Sequence, residues 1–147
     1  MAPATALDIA GYLVNLASAD PENDLTNLKL QKLLYFAQGE YLRKTGQPLF
    51  ADEIEAWQYG PVIRSVYDAY KSCGAFPITL FDIKTEPKEL ADNIRAFVKS
   101  IWSKYGKYSA SHLVSLTHRK GSPWDKATSS PSSFGSISRD DLRAAFR

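Results

Sequence analysis

Apolar residues recur along this chain at helical spacing, most strongly between Thr26 and Gly39. Leu30, Leu33, Leu34, Ala37 and Tyr41 follow the i, i+3, i+4, i+7 pattern of a helix with one buried stripe. Leu28 and Phe36 lie beside that stripe and widen it, as suits a helix with neighbours on more than one side. Thr26 stands at the N-cap position, where a hydroxyl accepts from the free N–H groups of the first turn. Gly46 stands where a left-handed residue ends a helix. The pattern predicts a central helix over 26–45. Its polar residues Lys29, Gln31, Lys32 and Gln38 then point outward or between elements.

The flanking segments read as neighbours of this helix. Leu7, Ala10, Leu13, Val14 and Ala17 mark a first helix over 5–19, stopped at Asp20-Pro21. Ile54 to Tyr59 alternates as a strand does, with Trp57 and Tyr59 on one side. Gly60 permits a sharp turn, and Pro61 suits the first position of a third helix with the stripe Val62, Val66, Ala69, Tyr70 and Cys73. Residues 77–83 read as a short strand or an extended connector. Thr85-Glu86-Pro87 opens a long fourth helix carrying Leu90, Ile94, Phe97, Val98, Ile101 and Tyr105. Ser109 caps a fifth helix, which Gly121-Ser122-Pro123 ends, and 128–135 reads as a surface loop. Ser138 caps a last helix over 140–146, with Leu142 and Phe146 on one face. The expectation is a mainly α, compact single domain over 1–147. It has about six helices around the central one and short extended segments near 53–59 and 77–83.

Size supports one domain: a chain of 147 residues buries about 70% of its unfolded surface without help from a metal or disulfide. Cys73 is the only cysteine, so no internal disulfide forms. No signal-peptide pattern and no apolar run of about 18 residues is visible, so a cytoplasmic chain without a membrane partner is expected. Charge is uneven. Residues 1–60 hold four Lys/Arg against eight Asp/Glu, a balance of −4, and residues 61–147 hold the other fourteen bases against eight acids, a balance of +6. Those bases are dispersed, without a dense basic run interleaved with aromatics, so nucleic acid is not expected as the main ligand.

The arrangements that announce catalysis are missing from the sequence. His112 and His118 stand six apart, about 240° around a helix, and cannot chelate one metal from one helix face. No His-Glu-x-x-His, paired Cys-x-x-Cys, Gly-x-Ser-x-Gly or phosphate-cradling glycine loop occurs. Neither an enzyme nor a cofactor is expected. For the remaining polar and aromatic residues the pattern leaves alternatives open. Lys29, Lys32 and Gln38 suit a solvated face as well as a contact surface. Trp57 and Tyr59 suit a core, and Trp124 suits a lid on the fifth helix.

Several ordered motifs resemble the Panacea domain, the family of SocA-like antitoxins also met as phage-associated GepA-type proteins. They are the run Leu28-Lys29-Leu30-Gln31-Lys32-Leu33-Leu34-Tyr35-Phe36-Ala37-Gln38-Gly39, then Pro48-Leu49-Phe50, then Glu55-Ala56-Trp57-Gln58-Tyr59-Gly60-Pro61-Val62. Leu113-Val114, Leu116-Thr117-His118, Ser122-Pro123-Trp124 and Ile137-Ser138 continue the likeness nearly to the end of the chain. The resemblance implies an antitoxin that neutralises a cognate protein toxin, encoded next to it, by direct binding. An alternative it also implies is an adaptor that delivers the toxin to a ClpXP-type protease. It brings no enzymatic activity and no cofactor. A nucleic-acid binder using the basic C-terminal part is a third reading, from the charge balance alone. The candidate toxin-binding set is Lys29, Gln31, Lys32, Gln38, Trp57, Tyr59 and His118. Leu30, Leu33, Leu34, Gly39, Gly60, Pro61 and Trp124 are expected to serve the fold.

Overall fold

A computed structural model describes residues 4–83, 89–129 and 135–146. Helix α1 (Ala6–Ser18) starts at a capping box in which Thr5 and Asp8 exchange hydrogen bonds. Helix α2 (Asn27–Thr45) is the axis. Thr26 accepts from the Lys29 N–H at its start, and Gly46, at φ 77°, donates to Leu42 at its end. Leu30, Leu33, Leu34 and Ala37 are fully buried, whereas Leu28, expected to widen the stripe, is exposed. Against α2 pack α1, α3 (Arg64–Tyr70), α4 (Asp92–Tyr105), α5 (Ala110–Thr117) and α7 (Arg139–Ala145). Helix α6 (Pro123–Ser129) lies against the hairpin and α7. Burial of each Leu or Ile of this core contributes about 1.5–3 kcal/mol. The mainly α, single-core expectation holds, with seven α-helices among the described residues.

A small hairpin interrupts the helices. Strands β1 (Glu55–Trp57) and β2 (Gly60–Val62) run antiparallel, with Glu55 opposite Val62 and Trp57 opposite Gly60. Ser136 adds one bridge on the other edge of β1. Pro61, expected to open a helix, lies instead in β2, and α3 begins three residues later. The sheet tolerates the proline for a geometric reason. The Ala56 N–H points away to Gly135. Ala56 and Pro61 therefore form a pair without mutual hydrogen bonds, and the missing proline N–H is not needed. The rule that proline opens a helix applies instead at Pro123, the first residue of α6. There Ser122 Oγ accepts from the Asp125 N–H as a cap does. Residues 121–123, expected only to end α5, therefore also start a helix.

Three smaller differences follow from local bonding. Residues 77–79 are irregular and Leu80–Asp82 forms a 3-10 turn, so 77–83 is the connector of the two alternatives. The expected helix start at Thr85-Glu86-Pro87 lies outside the described residues, as do 130–134 of the expected loop. Tyr59 sits in the hairpin turn with Gln58, not on the strand with Trp57.

Gly39 and Gly60 mark close approaches. A Cβ on Gly39 would lie 2.3 Å from the Phe146 ring, which lets α7 settle on α2. Gly60 adopts φ 110°, and a Cβ there would lie 2.8 Å from Lys32 Cε and 2.9 Å from Thr117 Oγ1.

Candidate functional site

The four polar residues of α2 point between elements; the solvated-face alternative fails. Lys29 and Lys32 are fully buried and Gln31 and Gln38 almost so. Buried polar groups need partners, and irregular backbone brought against a helix has unpaired N–H and C=O groups to offer. Gln38 donates to Phe50 O at 2.9 Å and accepts from the N–H groups of Leu49 and Phe50 at 2.8 and 3.3 Å. Gln31 accepts from the Ile63 N–H at 2.8 Å and donates to Asn27 Oδ1 at 2.9 Å. Lys32 Nζ donates to Pro61 O at 3.0 Å. Three side chains of one helix thus hold the segment from Leu49 to Ile63 and fix the hairpin to α2. Lys29 works on the opposite flank, donating to Asp24 at 2.7 Å and to Gly106 O at 2.6 Å.

The Lys32 ammonium is the most costly of these groups. No carboxylate lies within ion-pair distance of it among the described residues. Burial lowers its pKa from 10.5 to about 7. His118, at the C-terminal end of α5, is also pushed down, first by burial and then by the nearby positive Lys32. Its ring stacks on Trp124 with centroids 3.8 Å apart and planes 8° from parallel. Its Nε2 is buried without a hydrogen-bond partner among the described residues.

Trp124 ties this group to the hairpin. Its indole N–H donates to Trp57 O at 2.6 Å. The Trp57 indole donates to Glu55 at 3.1 Å and meets Tyr67 edge to face at 4.8 Å. Arg64 lies over the Trp57 ring at 5.1 Å and reaches both Glu55 oxygens, at 2.9 and 3.1 Å. That fork holds the Glu55 carboxyl below its ordinary pKa. Tyr59, at the tip, is 63% exposed, which removes the core reading for it; Trp57 is half-buried. Gln58, Tyr59 and Arg64 are therefore exposed members of the region. Lys29, Gln31, Lys32 and Gln38 lie beneath or away from it.

Trp57, His118, Trp124 and Lys32 are thus brought together, with Tyr59 exposed on the hairpin turn close to Trp57 in sequence, whereas Lys29 and Gln38 belong to other seams of α2. Arg64 and Tyr67 carry no signal in the sequence, and Glu55 and Thr117 stand there only as members of the family motifs. The Glu55–Arg64 pairing becomes visible only once the hairpin is drawn, because their nine-residue separation matches no helical rule. His112 lies against Tyr108, the rings tilted by 37°, and does not join His118. Among the described residues no group of three His, Cys, Asp or Glu is placed to hold a metal, and no helix is long and apolar enough to cross a membrane. Several bases of the C-terminal part are already paired: Arg64 with Glu55, Lys71 with Asp68, Lys104 with Glu40 and Lys126 with Asp141.

The family described as antitoxin SocA-like, Panacea domain, matches residues 30–125, which span the hairpin, His118 and Trp124. The chain is also similar to antitoxin SocA of Caulobacter vibrioides (strain NA1000 / CB15N). The two are 34% identical over 134 residues, covering 84% of this chain and 70% of that relative. No solved structure matches.

Proposed function

This chain belongs to the SocA-like Panacea family of antitoxins, and from that premise we propose that it neutralises a protein toxin by binding it directly through the hairpin face. The observation that carries the reading is Tyr59. A large aromatic side chain stands in solvent on a turn whose second strand is pinned to α2 by buried hydrogen bonds at Pro61 and Ile63. Preorganised aromatic and arginine side chains suit the centre of a protein interface, because little conformational freedom is lost on docking. Tyr59 and Arg64 supply the contacts, and Trp57, Trp124 and His118 form the floor behind them. Lys29, Gln31, Lys32 and Gln38 are positioning residues in this reading, since their polar atoms are already engaged inside the fold.

The test is co-expression with an inactivated product of the adjacent gene, followed by purification and a measured Kd. A stoichiometric complex is expected, weakened about tenfold or more by Tyr59→Ala. Absence of a complex with the unaltered chain refutes direct neutralisation. The half-life of the toxin in the same cells separates occlusion from delivery to a ClpXP-type protease: occlusion leaves it unchanged, and delivery shortens it.

A further inference from the structure

Three large apolar side chains stand in solvent within six residues of each other. Phe76 is 77% exposed, Leu80 50% and Phe81 98%. They belong to an anchored loop. Ile78 between them is fully buried, its N–H bonds Leu25 O at 2.8 Å, and its carbonyl accepts from Asn23 Nδ2 at 3.1 Å. The 3-10 turn that carries Leu80 and Phe81 is closed at both ends of a capping box, in which the Thr79 N–H and hydroxyl donate to Asp82. Such a loop holds two phenylalanines in water in a set geometry and forgoes their burial.

The charge around this loop is mostly acidic, although Asp24 is paired with Lys29 and Arg95 lines the adjoining groove. The two bonds to Leu25 and Asn23 tie it to the α1–α2 connector, which carries Asp20, Glu22 and Asp24, and Asp82 lies in the turn itself. Beside it opens a groove of about 380 Å³ whose walls include Tyr12, Leu80, Ile83 and Leu90. An apolar projection framed by carboxylates fits a concave apolar surface edged by lysine and arginine. The loop is also continuous with the hairpin face. Arg64, Ser65, Asp68, Lys71 and Ser72 are exposed along α3 and the 3-10 turn Lys71–Cys73 that follows it. Seven α-helical and three 3-10 residues span about 16 Å. That is short enough for the hairpin and the loop to lie under one interface of about 800 Å² per partner.

We infer that the Phe76–Asp82 loop is a second contact for the protein toxin, seating Phe81 and Phe76 in an apolar pocket edged by basic side chains. The inference rests on the antitoxin reading above. Its test uses the same probe, the inactivated product of the adjacent gene, and measures Kd and association rate against the unaltered chain, Phe81→Ala, Phe76→Ala and Glu22→Lys. All three side chains are exposed, so the variants keep the fold, which circular dichroism and the thermal midpoint verify. Phe81→Ala is expected to weaken binding about thirtyfold. Glu22→Lys is expected to slow association several-fold at low salt and much less at about 0.5 M salt. A complex that forms with the unaltered chain and changes less than twofold in both phenylalanine variants overturns the loop contact and leaves the antitoxin reading standing. No complex with the unaltered chain overturns both.

Discussion

Lys32 offers the sharpest test of how this fold is held together. Its ammonium is buried, donates to Pro61 O, and has a pKa lowered from 10.5 to about 7 by desolvation. The gap corresponds to about 5 kcal/mol against the protonated form in the folded chain. The sign follows from proton counting. Between pH 7 and 10.5 the unfolded chain keeps the proton and the folded chain loses it, so stability rises with pH; below pH 7 both carry it and the penalty is paid in full. From pH 7 to pH 9 the expected gain is about 2 kcal/mol. The window is free of other shifted groups only between about pH 7 and pH 9, because the unfolded chain titrates His118 below it and Tyr35, Tyr70 and Tyr105 above it. His118 is pushed below its ordinary value and stays neutral above it, while burial pushes Tyr35 and Tyr105 up, so they remain protonated. Lys32→Met removes the titration but leaves Pro61 O unpaired, at about 1–3 kcal/mol. The variant should therefore be more stable than the natural chain below pH 7 by about 2–4 kcal/mol, near parity at pH 9, and flat from about pH 7 to pH 9. Urea unfolding followed by circular dichroism at pH 6, 7, 8 and 9 measures all of this. A natural chain with the same pH profile as the variant would refute the claim that Lys32 is buried without a compensating anion.

Two further substitutions probe the same frame. Gly60→Ala puts a side chain at φ 110° and within 3 Å of Lys32 and Thr117. It should cost about 2–4 kcal/mol and lower Tm by about 5–10 °C in a thermal scan. Gln38→Leu leaves the N–H groups of Leu49 and Phe50 and the Phe50 carbonyl unpaired in the interior. A loss of about 3 kcal/mol is expected in urea unfolding, together with faster amide exchange confined at first to residues 48–52.

The helices were legible because their signal is local. Apolar spacing, the caps Thr26, Ser109 and Ser138, and Gly46 act within one or two turns, and each does in the fold what its type and position imply. Pro61 and Pro123 show the limit of that information. Both suit the first turn of a helix, yet only Pro123 opens one. Pro61 is drawn into a strand because Gly60 closes a hairpin and because Lys32 and Gln31, about thirty residues earlier, take the backbone groups of Pro61 and Ile63.

The candidate site divides along the same line. Its residue types and order carried the family likeness, and Trp57, His118 and Trp124 lie in one connected group. Which of them face solvent was not legible, since exposure depends on what packs above each side chain. Lys29 and Lys32 are charged residues that the chain alone offers equally to water or to the interior. Only the tertiary structure, by bringing Gly106 O, Pro61 O and the hairpin against α2, decided that both lie inside and that Tyr59 and Phe81 lie outside.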